Sequence, residues 1–202
     1  INDKTLTITP KTVGTAIITV KELNGNKTAT YNITTTNLNI NSTTQILDIN
    51  GVDVTEITAV NENAGTINWK SSNEEVATIS AKTGDKITVT GKSNGSTVIT
   101  AIGENDSPTE TCEITVQTSP AEITLNKTEV TLDMNAEELK KQNESSTLID
   151  KVNLVATISP ETANVNKNLT WASNNEKVAK VDDYGNVTAV ANGTAIITVT
   201  TE

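Results

Sequence analysis

Trp69 and Trp171 are the side chains of this sequence best suited to stacking on a sugar ring. Each follows an apolar residue two positions earlier, Ile67 and Leu169, so the period of two places each pair on one face of a strand. Stacking requires exposure, whereas this spacing is that of a strand Trp filling a β core, and the core reading is adopted for both. Three acidic loops come next: Asp48-Ile49-Asn50-Gly51-Val52-Asp53, Glu104-Asn105-Asp106 and Asp182-Asp183-Tyr184-Gly185-Asn186. Calcium takes six to eight oxygens, which loop carboxylates and carbonyls can supply. None of the three has the spaced Asp-x-Asp-x-Asp-Gly arrangement, and Asp, Asn and Gly are ordinary turn formers. They are read as solvated turns, with a junction calcium as the alternative.

Other chemistries find less support. A carboxylate pair for glycoside hydrolysis needs an apolar pocket around it, and aromatics make up 2% of the chain, with no Phe. Lys and Asn abound, but no buried Lys, Asn and acid trio able to close an isopeptide bond can be identified. With no His and the single Cys112, imidazole bases, Cys/His zinc sites and internal disulfides are excluded. Cys112 stands in the alternating run Thr111-Cys112-Glu113-Ile114-Thr115-Val116, where a free Cys is a small buried hydrophobe. Asn-x-Ser/Thr triplets such as Asn26-Lys27-Thr28, Asn126-Lys127-Thr128 and Asn168-Leu169-Thr170 arise by chance in so Asn- and Thr-rich a chain. No catalytic, cofactor-binding or metal-ligating residue is assigned, no cofactor is expected, and the chain is read as not an enzyme.

The elements that position these residues are legible from composition and repetition. The 202 residues carry 15 basic and 25 acidic side chains, a formal net charge of −10, which repels nucleic-acid phosphates and anionic lipid headgroups. No apolar run approaches the roughly 18 residues that span a bilayer. Neither nucleic-acid binding nor membrane insertion is expected. Apolar residues are 35% of the chain, so the core is built from Val, Ile, Leu and Ala, and a single large core is unfavourable.

Internal repetition divides the chain. Trp69-Lys70-Ser71-Ser72-Asn73-Glu74-Glu75-Val76-Ala77-Thr78-Ile79 recurs as Trp171-Ala172-Ser173-Asn174-Asn175-Glu176-Lys177-Val178-Ala179-Lys180-Val181. Gly14-Thr15-Ala16-Ile17-Ile18-Thr19-Val20 recurs from Gly95 and again from Gly193. A further strand follows the first two copies, at Thr30–Thr34 and Thr111–Thr115, but not the third. The expected units are the C-terminal part of one at 1–36, a complete one at 37–117, and one at 118–202 that lacks its final strand. The last carries an insertion at about 134–151, in which Ala136-Glu137-Glu138-Leu139-Lys140-Lys141-Gln142 predicts a short helix capped by Asp133 or Asn135. Elsewhere short Val-, Ile- and Thr-rich alternations broken by Asn, Gly, Asp and Ser predict β-sandwiches.

The repeated blocks resemble the bacterial immunoglobulin-like domain, group 2. The resemblance rests on Trp171-Ala172-Ser173-Asn174-Asn175, Val178-Ala179-Lys180-Val181, Gly185-Asn186-Val187-Thr188 and Gly193-Thr194-Ala195, preceded by Ile158-Ser159-Pro160. The middle unit departs at Lys86-Ile87-Thr88-Val89, which has no turn Gly in register, and has no Pro before Trp69. The resemblance covers nearly the whole chain. It implies an all-β fold of tandem Ig-like sandwiches in secreted, surface-displayed or phage structural proteins, and it implies no catalytic residue.

The functional expectation is a structural spacer or stalk whose partners are neighbouring Ig-like units of the same protein. The alternative is an adhesive module recognising a glycan or host surface protein. Short passages between units, Ile33–Leu38 and Val116–Ala121 with Pro120, favour stiff joints. Ile17, Val98 and Ile196 fall on the strand face opposite the core positions, through β-propensity or as a contact stripe. Two completions are open for the partial units: neighbouring residues of a longer array, which is preferred because matching joints need only more chain, or a strand donated by another copy.

Overall fold

The computed structural model describes residues 5–106, 108–143 and 149–201, which form two compact units, Ile1–Val116 and Gln117–Glu202. In the first unit, β1 (Gly14–Lys21) and β2 (Thr28–Thr35) form an antiparallel hairpin. There follow β3 (Asn37–Ile40), β4 (Thr44–Asp48), β5 (Val54–Glu62), β6 (Asn68–Ser71), β7 (Ala77–Ile79), β8 (Lys86–Gly91), β9 (Gly95–Ile102) and β10 (Thr109–Gln117). They make two four-stranded sheets, in the orders β3-β5-β8-β7 and β4-β10-β9-β6.

Alternation fixes which side chains meet between the sheets. β9 turns Thr97, Ile99 and Ala101 inward, and β10 turns Cys112, Ile114 and Val116 to the same side. Leu38, Ile57, Ile87 and Val89 of the opposing sheet close one continuous core with them. The fold is the two-layer sandwich expected. Branched aliphatics fill it in place of aromatics, with Trp69 as the one large ring.

The second unit repeats this plan with fewer strands. Its elements are β11 (Glu122–Leu125), α1 (Ala136–Gln142), β12 (Lys151–Asn153), β13 (Ala156–Ser159), β14 (Leu169–Ser173), β15 (Ala179–Val181), β16 (Asn186–Ala189) and β17 (Ile197–Thr201). β12 and β13 together stand where β5 stands in the first unit: β12 pairs with β16 as β5 does with β8, and β13 pairs with β11 as β5 does with β3. The same asparagine clip marks both copies. Asn41 Oδ1 accepts from the Thr58 amide at 3.0 Å, and Asn126 Oδ1 accepts from the Val155 amide at 2.9 Å.

α1 is the short helix expected, with Ala136 fully buried and Glu137 and Glu138 paired to Lys140 and Lys141 at i,i+3. The Asp133 carboxylate accepts from the Asn135 amide at 2.8 Å just before it. Lys151 is the first residue of β12, pairing with Thr188, and residues 144–148 of the expected insertion lie outside the described residues. β14 and β17 pair as β6 and β9 do, Trp171 opposite Val199 and Trp69 opposite Ala101. Among the described residues the second unit has no strand in the places of β4 and β10.

Candidate functional site

The repeated Trp-x-Ser-x-Asn segment is where a site would be sought first, and its polar atoms are occupied in holding the chain together. Ser71 Oγ donates to the Ala77 carbonyl at 2.8 Å and accepts from the Asn73 amide at 3.3 Å. Ser173 repeats both bonds, to Ala179 at 2.7 Å and from Asn175 at 3.2 Å. Each serine thus pins the turn that follows its strand. The two copies then differ in how they tie to the next strand. One tie is shared, since Ser72 Oγ accepts from the Val98 amide at 2.9 Å as Asn174 Oδ1 does from the Ile196 amide at 2.7 Å, but buried Thr97 also accepts from the Asn73 amide at 2.9 Å and bonds the Ser71 and Ser72 hydroxyls, whereas Ala195 has no hydroxyl. Sequence reading recognised the motif and missed this function, although Thr97 where the last repeat has Ala195 was a visible polar-for-apolar exchange at a core position.

The glycines of the motif serve packing. Gly95, at φ 146°, brings its backbone so close to Val76 that a Cβ would lie 3.2 Å from Cγ2, and Gly193, at φ 152°, makes the same approach to Val178. Gly185, at φ 77°, closes the turn in which its amide donates to the Asp182 carbonyl at 3.0 Å. A Cβ there would collide with the Leu154 carbonyl and lie 3.0 Å from the Trp171 ring.

The two tryptophans are not equivalent. Trp69 is 3% exposed, and its indole N–H donates to the Gly84 carbonyl at 2.7 Å, which satisfies the ring's polar atom inside the core. Trp171 is half-buried, which corrects the expectation of a second fully buried ring. The physical reason is that the described residues hold no strand in the place of β10: Ile197 and Val199 beside it are also half-buried, whereas Ile99 and Ala101 are sealed.

The acidic loops are turns in the described residues. Asp48 Oδ1 accepts from the Asn50 amide at 3.0 Å while the Asp48 carbonyl accepts from Gly51. Glu104–Asp106 is a single 3-10 turn, with the side chain of Asn105 outside the described residues. Asp182 is the most engaged of the three: its carboxylate accepts from the Tyr184 and Asn186 amides, each at 2.9 Å, and from Asn186 Nδ2 at 2.8 Å. Hydrogen bonds from the Asn186 side chain and backbone hold its carboxyl below the usual aspartate value. Among the described residues no three metal-ligating side chains come together.

Cys112 is fully buried, and burial pushes its thiol above the usual value, away from the reactive thiolate. The outward stripe falls where alternation put it, with Ile17 69%, Val98 37% and Ile196 63% exposed. On the other face of the hairpin, Ala16, Ile18, Tyr31 and Ile33 line an apolar groove with Ile8 and Val13. No helix among the described residues is long and apolar enough to cross a membrane.

The family model described as bacterial Ig-like domain (group 2) matches residues 34–114 and 139–202. An alpha-L-arabinofuranosidase of Bifidobacterium longum subsp. longum is 53% identical over 62 residues, 30% of this chain, and the chain spans 6% of that protein's length. Among solved structures, a C-terminal fragment of intimin, in complex with the intimin-binding domain of its translocated receptor, is similar at 21% identity. It covers 81% of this chain and 58% of its own, with a TM-score of 0.42. Domains 1–6 of surface layer protein SbsC are similar at 17% identity, covering 94% of this chain and 25% of theirs, with a TM-score of 0.36.

Proposed function

Because this chain belongs to the bacterial Ig-like domain (group 2) family, we propose that it acts as a non-catalytic structural spacer in a secreted, surface-displayed or phage structural protein. Its partners in this role are neighbouring Ig-like units. The observation that carries the reading is the economy of the passages between strands of successive repeats. Thr36 alone separates β2 from β3, and four residues, Thr118 to Ala121, separate β10 from β11. Thr118 itself is pinned, because its amide donates to Asn164 Oδ1 at 2.8 Å and its carbonyl accepts from the Asn164 amide at 2.9 Å. A joint so short and so anchored transmits orientation and force between repeats and leaves little chain to act as a hinge. The polar atoms of the repeated motif support the same reading, since they are engaged within the fold.

A second reading, an adhesive module for a glycan or host surface protein, draws on the exposed apolar side chains that each repeat turns outward, Ile17, Val98 and Ile196. The two readings separate in one experiment. The spacer reading expects the isolated chain to give no signal above a scrambled-charge control on a glycan array and on host cells. Saturable binding lost in the double variant Val98→Thr, Ile196→Thr would replace it with the adhesive reading.

A further inference from the structure

β5 sets the direction of the middle repeat. Its first residue, Val54, pairs with Thr90, beside the Gly91 at which Val116 packs, and its last, Glu62, pairs with Asn37. Asn37 and Gln117, where the chain enters and leaves the repeat, therefore lie at opposite ends of the sandwich. A pull between them runs along the strands. Chain is described on both sides of the repeat, at residues 5–36 and 118–143, so both points of attachment are internal.

Two pairs of strands meet that pull in shear. β3 lies antiparallel on β5 in one sheet, and β4 lies beside β10 in the other. β4 and β10 rise together: the Glu113 amide donates to the Thr43 carbonyl at 2.9 Å, and further along a Cβ at Gly91 would lie 3.5 Å from Leu47 Cβ and 3.0 Å from Val116 Cγ1. Drawing β4 one way and β10 the other loads their bonds together instead of one after another. Asn41 stands between β3 and β4, where the chain leaves one sheet for the other. Its amide donates to the Thr58 carbonyl at 3.0 Å, its Oδ1 accepts from the Thr58 amide at 3.0 Å, and its Nδ2 donates to the Glu56 carbonyl at 3.4 Å. The side chain thus extends the ladder on β5 past the point where the main chain departs. Asn126 reproduces all three bonds, two with Val155 at 3.0 and 2.9 Å and one to the Asn153 carbonyl at 3.4 Å.

We propose that Asn41 is the lock that carries tension through the middle repeat, coupling the β3–β5 and β4–β10 pairs so that neither slides until its three bonds to β5 part. The inference rests on the spacer reading, since an array held at both ends is what feels such a pull. Asn41 is exposed, so water competes for its bonds at rest and their share of the equilibrium stability is modest. Their place on the line of force gives them a larger share of the mechanical barrier. β6 and β7, the strands at the far edges of the two sheets, lie off that line.

Constant tension applied through enzymatic tags at the two ends of the whole chain tests the lock, with Cys112 as the reporter. It is the one thiol of the sequence and is fully buried in β10, so a maleimide labels it when the middle repeat opens. The time to labelling follows the unfolding rate under load. Asn41→Ala should shorten that time by about tenfold. Asn41→Asp, which keeps the Oδ1 acceptor, should shorten it by a smaller factor, and it gives the same comparison where the alanine variant is labelled without tension. Ser71→Ala is the control, because Ser71 Oγ also makes three bonds, with Ala77, Asn73 and Thr97, but ties β6 to the turn before β7. Both alanine variants should unfold faster in urea, while under tension Ser71→Ala should shorten labelling by less than about twofold. Labelling times that the Asn41 variants leave unchanged, or that Ser71→Ala shortens as much, overturn the proposal by placing the load elsewhere. Failure of the spacer reading is seen separately, as saturable binding on the glycan array or host cells, and leaves these times as they are.

Discussion

Thr118 and Asn164 exchange two hydrogen bonds, amide to side-chain oxygen at 2.8 Å and amide to carbonyl at 2.9 Å, across a separation of 46 residues. Thr118 is the first residue after β10, and it is buried. The start of the joint is therefore part of the second unit's hydrogen-bonded structure. Asn164→Ala removes the acceptor and leaves a buried backbone N–H unmatched, an expected loss of about 1–3 kcal/mol from the second unit. Chemical denaturation followed by unit-resolved NMR should show that loss in Gln117–Thr201, with the core around Ile99 unchanged.

The two tryptophans should answer differently to truncation. Trp69→Ala empties a sealed core position and breaks the bond to Gly84, so the first unit should lose about 3–5 kcal/mol. Trp171→Ala removes a half-solvated ring, and the expected loss is about half as large. Urea unfolding of each variant gives both values. Equal losses would mean that Trp171 is sealed in solution.

Asp133 and Ile149 bracket α1, and the Asp133 amide donates to the Ile149 carbonyl at 2.7 Å. The ends of the intervening stretch are thus already adjacent. Excision of residues 134–148 shortens a closed loop, which favours folding entropically, and removes the packing of Ala136. The second unit should remain folded with a cooperative transition, read by calorimetry. The excision stops short of Asp150, whose carbonyl accepts from the Ala189 amide at 3.2 Å.

The Asp182 turn supplies a pH dependence. Its carboxyl is held below the ordinary value by Asn186, so the ionised form is favoured in the folded state. The stabilisation is present above the unfolded aspartate value and is lost as pH falls through the lower folded value. The Tyr184 and Asn186 amide shifts should therefore titrate together, with a midpoint below that of an exposed aspartate. Asn186→Ala should move the midpoint up toward the ordinary range.

Much of this architecture was legible because β structure writes its period into sequence. The buried alternation of Thr97, Ile99 and Ala101, the inert Cys112 and the outward Ile17, Val98 and Ile196 all follow from a period of two and the thrice-repeated block. The helix at Ala136–Gln142 was legible from its composition. The unequal burial of Trp69 and Trp171 was not, because their local sequences are alike and the difference comes from a distant strand. The Thr118–Asn164 clasp was equally hidden, since side-chain bonds across 46 residues leave no local pattern.

The central claim, that short anchored joints make this chain a stiff spacer, is tested most directly by backbone 15N relaxation of the whole chain. The account predicts that amides of Asn37–Val116 and Gln117–Thr201 fit one shared rotational diffusion tensor, and that Asn164→Ala begins to separate them. Independent tumbling of the two sets in the unaltered chain, each with the correlation time of a domain half its size, would contradict it.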